Sequence, residues 1–97
     1  MPVTTTWSVN SANPVRFAAW SGEDSVVAYQ PISGDTHLVS TIGAAVLELL
    51  QSAPLSAEAV FKGLFPDEEP MENSIATIKN NFLIHFEQLG LIEKTLS

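Results

Sequence analysis

Hydrophobic residues follow two different periods in this chain, and the change between them falls near Ser40. Before it, apolar and polar residues alternate in short runs, the mark of strands with one buried face. Trp7 and Val9 alternate with Thr6, Ser8 and Asn10, which predicts a short edge strand after a loose, flexible stretch at residues 1–6. Val15, Phe17 and Ala19 alternate with Arg16 and Ala18, while Val26, Val27 and Tyr29 supply strand formers between Ser25 and Gln30. Ser21, Gly22, Glu23 and Asp24 predict a turn between these segments, so the two read as a β-hairpin. Pro31 lacks an amide hydrogen and ends the second strand. Ser33, Gly34 and Asp35 then turn the chain into a third, formed by Thr36, His37, Leu38 and Val39.

After this junction the spacing is helical. Thr41 is placed to cap a helix in which Ile42, Ala45, Val46, Leu49 and Leu50 form one apolar stripe. Pro54 follows, then Ser56 as a cap and a short second helix carrying Ala57, Val60, Phe61 and Leu64, which ends near Phe65 and Pro66. A third helix is expected from about Ser74 to Leu89, stopped by Gly90. At ~100° per residue, Ile75, Ile78, Phe82, Phe86 and Leu89 share a stripe about 80° wide that faces the core. Leu83 and Ile84 lie outside it, roughly 100° and 160° from Phe82. A binding groove, the strand layer of the same chain, or a second subunit would each account for them. Leu91 and Ile92 predict a brief terminal extension packed back on the body. The expected architecture is α+β and winged-helix-like. It is one domain over residues 1–97, an N-terminal three-stranded antiparallel β-sheet followed by a three-helix bundle.

Composition and charge narrow the functions this fold would carry. A chain of 97 residues with 45% hydrophobic and 15% charged residues builds one globular core and is not a disordered tail. Its formal net charge is −7, and the basic residues Arg16, Lys62, Lys79 and Lys94 are scattered from end to end. Phosphate neutralisation therefore has no footprint, and neither a nucleic acid nor an anionic membrane is an expected partner. No stretch approaches the ~20 apolar residues of a membrane span. No secretory signal is expected either, because the first ten residues lack a basic start and an apolar run. Cysteine is absent, which removes disulfide and thiolate chemistry, and cytoplasmic residence is the expectation.

Catalytic patterns are weak. Ser33, Asp35 and His37 share parity on an extended backbone, but in line along one strand they cannot converge as a hydrolytic triad does. His37 and His85 lack a spaced third metal ligand, and no phosphate-binding loop, dinucleotide fingerprint or nucleophile elbow occurs. The acidic run Asp67, Glu68, Glu69 and Glu72 does not match a calcium loop and reads as a solvated connection whose carboxylates favour the start of the next helix. Neither an enzyme nor a cofactor is expected. A winged-helix DNA reader is the alternative for this shape, but the connection before the third helix is about eight residues and acidic, where such readers use a turn of 3 to 4.

Several stretches together resemble the PqqD family of small peptide chaperones. They are Trp20 ahead of Gly22, Val26-Val27-Ala28-Tyr29, Ser33-Gly34-Asp35-Thr36-His37-Leu38, Ala44-Ala45-Val46-Leu47 and Leu89-Gly90-Leu91-Ile92. The Ser-Gly-Asp-Thr-His-Leu stretch is most similar to the branch found beside an HPr-kinase-related protein, and the likeness spans about Trp7 to Ile92. The resemblance implies a non-catalytic recognition element for ribosomally made, modified peptides. It would hold the leader of a precursor peptide as an added strand and present it to a partner modifying enzyme, possible partners including proteins of an HPr-kinase-related system. Carried over, the peptide-binding residues would be Thr36, His37, Leu38 and Val39 on the strand, with Lys79, Asn80, Leu83, Ile84 and Glu87 on the facing helix. The mode is physically sound, because an open strand edge offers hydrogen bonds worth roughly 0.5–1.5 kcal/mol each. The competing expectations are a winged-helix transcriptional regulator and a structural homodimeric subunit, so the chain is expected as a monomer or a homodimer.

Overall fold

The computed structural model of the protein describes residues 5–19 and 25–96. The alternating half yields four strands, β1 (Thr5–Ser8), β2 (Arg16–Ala19), β3 (Ser25–Gln30) and β4 (Asp35–Ser40). The last three form an antiparallel sheet in the order β2-β3-β4, so the expected three-stranded sheet is present. Its register places Phe17 opposite Ala28 and Ala28 opposite His37, with Val26 opposite Val39 one step along. That face is turned inward: Ala28 and Val39 are buried. Ala18, Val27 and Leu38 line up across the other face, which is more open to solvent. The turn expected at 21–24 lies outside the described residues. At the other end, Gly34 N–H donates to the Gln30 carbonyl at 2.8 Å and Gly34 sits at φ 83°, a conformation that side-chain-bearing residues resist.

Strand and helix meet without a loop. α1 (Thr41–Ser52) starts directly after β4, and its cap is Ser40, not the expected Thr41: the Ser40 hydroxyl accepts the Gly43 N–H at 3.0 Å. α2 (Ala57–Leu64) is capped by Ser56 as its sequence suggests. The third helical segment begins at Glu72, two residues ahead of the expected Ser74 and just past Pro70. It consists of α3 (Glu72–Ile78), a π-helical turn (Lys79–Leu83) and α4 (Ile84–Gln88), followed by Gly90 at φ 80°. Among the described residues no helix is long and apolar enough to cross a membrane.

The ends of the described chain close on one another. β5 (Glu93–Leu96) pairs antiparallel with β1, from Thr5 opposite Leu96 to Ser8 opposite Glu93. Thr5 and Thr6 are therefore strand, and not part of a loose N-terminal stretch; residues 1–4 lie outside the described set. Trp7 explains why so short a ribbon forms. Its ring is 2% exposed, its backbone exchanges two hydrogen bonds with Leu55 at 2.8 and 3.0 Å, and its indole N–H donates to the Glu87 carboxylate at 3.4 Å. One residue thus ties together β1, the connection between α1 and α2, and the end of the long helix. Val46, Leu47, Leu50, Val60, Phe86, Leu91 and Ile92 complete a single core. The buried polar side chain Gln30 donates from Nε2 to the Gly90 carbonyl at 3.3 Å, pinning the hairpin to the turn after α4.

Candidate functional site

β4 pairs with β3 along one edge, and among the described residues no strand pairs with its other edge. Proteins guard such edges with lysine, arginine, proline or a bulge. β2 carries Arg16 and β5 carries Lys94, whereas β4 reads Asp-Thr-His-Leu-Val-Ser, with one charged residue, Asp35, at its start and no lysine, arginine or proline. Its backbone groups on the open side are presented in a row.

Beside this edge runs a groove of about 160 Å³. Leu38, Val39 and Ser40 form its strand wall; Asn81, Phe82, His85, Phe86 and Leu89 form its helix wall. Phe86 is 3% exposed and acts as the floor, with the half-buried Phe82 ring centred 6.2 Å away. Gly43 lets the floor sit this deep, because a Cβ there would stand only 3.1 Å from the end of the Phe86 ring. Leu38 is 63% exposed at the lip, and the polar groups of Asn81 and His85 mark the opposite rim. An open backbone edge next to an aromatic floor suits an extended chain, which would lie ~4.7–4.9 Å from β4 and drop alternate side chains into the groove.

The residues expected to bind are only partly gathered here. Leu38 and Val39 line the groove. Thr36 instead borders a shallower depression on the outer face of the hairpin with Val27 and Tyr29, and His37 is half-buried on the inward face opposite Ala28. Lys79 and Asn80 are exposed outside the groove wall, Ile84 is half-buried and also outside it, and Glu87 turns the other way, toward the Trp7 indole. Leu83 is fully buried at 0% exposure, so of the three accounts of this residue the intrachain core is the one observed.

A change of helical pitch accounts for the burial of Leu83. Uniform spacing of ~100° would set Leu83 about 140° away from Ile78, on a different face. The turn between them is π-helical, with the Ile84 N–H donating to the Lys79 carbonyl five residues back. One extra residue in that turn brings Leu83 round to the core beside Ile78 and Phe86, and turns Asn81 and Phe82 toward β4. The groove residues missed by sequence reasoning, Ser40, Asn81, Phe82, His85, Phe86 and Leu89, were visible in part. Phe82, Phe86 and Leu89 belong to the apolar stripe assigned to the interior, and that stripe reaches the surface beside the strand edge. Compared with family models, curated proteins and solved structures, the chain finds a match in none of the three.

Proposed function

We propose that this protein is a non-catalytic peptide-binding module that takes an extended segment of another chain as an added strand on β4 and presents it to a partner enzyme. The observation that carries the reading is the unpaired β4 edge running beside a groove floored by Phe82, Phe86 and Leu89. Backbone pairing supplies affinity that is indifferent to sequence, and the aromatic floor supplies selectivity. The same mode is what the resemblance to PqqD-type peptide chaperones implies.

The test is a selection of randomised, mRNA-displayed peptides on the intact protein, followed by affinity measurement on variants. Leu38→Pro deletes a backbone donor from β4, and Thr36→Pro repeats the deletion at the same parity. Leu89→Glu places a charge in the groove, where Leu89 is only half-buried. Selected peptides are expected to lose about tenfold or more on each variant that keeps its circular dichroism spectrum. Peptides that bind a folded Leu38→Pro protein and the Leu89→Glu protein as well as wild type would rule out strand addition here.

A further inference from the structure

Phe82 has two sides. One lines the groove beside β4; the other lines a separate apolar pocket of about 300 Å³ where the start of α1, the end of α2 and α3 converge. Phe61 and Ile78, each 5% exposed, form its floor, and Ile42 and Phe65, 47% and 36% exposed, form its lips. These lips are large apolar groups left open to water, although most others of their kind among the described residues are buried or half-buried. Phe61 and Phe65 stack at 5.2 Å with tilted rings, which gives the pocket a fixed aromatic wall. Its volume has room for one bulky side chain.

Position and charge indicate what that side chain belongs to. β4 runs through Ser40 straight into α1, and Ile42 stands two residues past Ser40. A strand paired along Leu38 and Ser40 and prolonged past Ser40 is led over Phe82 to the pocket. Between Phe65 and Ser74, both of which line the pocket, the connection carries Asp67, Glu68 and Glu69 and the first turn of α3 carries Glu72, all exposed. These four carboxylates outnumber Lys62 and Lys79, the lysines on the flanking helical segments.

We infer that the pocket is a second subsite, which holds a bulky aliphatic or aromatic anchor of the docked peptide, and that this anchor is followed or preceded closely by lysine or arginine. The occupant is therefore a basic, amphipathic peptide segment whose anchor lies beyond the residues paired with β4. This inference rests on strand addition at β4, and the two are separable by experiment.

Peptides from the mRNA-displayed selection are measured by fluorescence anisotropy against wild type, Leu38→Pro, Leu89→Glu, Ile42→Glu and Phe65→Glu. Ile42 and Phe65 are exposed enough for these changes to leave the fold intact, and Ile42→Ser and Phe65→Ser serve where a charge does not. The expected result is enrichment of one bulky apolar residue with a nearby lysine or arginine, and a loss of about tenfold or more on the Ile42 and Phe65 variants. Equal affinity for wild type and both pocket variants, with loss on Leu89→Glu and Leu38→Pro, would overturn the second subsite and leave strand addition standing. A selection that yields no binder, or binders indifferent to all the variants, would overturn both. Self-association of the protein that is abolished by Ile42→Glu would show that a second copy fills the pocket, and would also overturn the inference.

Discussion

At the scale of single residues, Leu83 and Phe82 are neighbours in sequence with opposite duties. Leu83 is enclosed by the core, so Leu83→Ala removes buried methyl groups and leaves a cavity. A loss of about 2–5 kcal/mol is expected in urea unfolding. Leu83→Asp should prevent folding outright, because an unpaired carboxylate would replace a core side chain. Phe82→Ser removes a half-buried ring from the groove wall and should cost less stability, while stripping peptide affinity by about tenfold or more. A Phe82→Ser protein with unaltered affinity for selected peptides would show that the groove wall is not used. Gln30 is a third residue with a legible role. Its Nε2 group is the partner of the Gly90 carbonyl, so Gln30→Ala should cost about 1–3 kcal/mol and loosen the turn after α4, measurable as faster amide exchange at Leu91 and Ile92.

At the scale of elements, the sequence reveals what is local and periodic. The β2-β3-β4 order follows from two alternating segments with turn residues between them and a third behind Gly34, and Ser56 announces α2. The strand at Trp7 and the packing of Leu91 and Ile92 on the body are legible, but β5 and its pairing with β1 are not. β5 reads Glu-Lys-Thr-Leu with every side chain exposed, so no buried face imposes an alternation, and its partner lies at the far end of the chain. The burial and hydrogen bonds of Trp7, the burial of Leu91 and Ile92, and the Asn10 amide donating to the Glu93 carboxylate at 2.9 Å hold it in place. The groove was half legible. Leu38 and Val39 on its strand wall are legible in the alternation of β4; its helix wall is not, because Phe82, Phe86 and Leu89 keep the spacing expected of a core stripe yet surface beside β4, while the π-turn carries Leu83 into the interior. Deletion of Asn80 tests this directly. With one residue removed, Ile78, Leu83 and Phe86 fall at i, i+4 and i+7 of an ordinary α-helix and can all remain in the core. The variant should fold, with Tm within about 5 °C of wild type, and should lose peptide affinity because Phe82 no longer reaches β4 in the same way. An unfolded deletion variant would mean that the π-turn is required by the core and not by the groove wall.

At the scale of the whole molecule, the net charge of −7 would act on the encounter with the proposed peptide more than on the bound state. The groove itself is walled mainly by apolar and uncharged groups, with the His85 imidazole at its rim. Contacts made there are short-range and little affected by salt. The carboxylates at Asp67, Glu68 and Glu69 on the connection and Glu72 at the start of α3 are exposed beside the second pocket, where added ions screen them over ~10 Å at 0.1 M. For a basic peptide the two contributions separate in kinetics. The association rate should fall by about 3- to 10-fold between ~0.02 and ~0.5 M salt, while the dissociation rate changes by less than about twofold. Glu68→Lys combined with Glu69→Lys and Glu72→Lys reverses the sign of the field at that rim, so the variant's association rate should start lower and stay flat or rise with salt. Stopped-flow mixing with a fluorescent selected peptide measures both rates. A wild-type association rate that is independent of salt would show that charge does not steer the partner, and a dissociation rate that carries the whole salt effect would move the acidic residues from the approach into the bound interface.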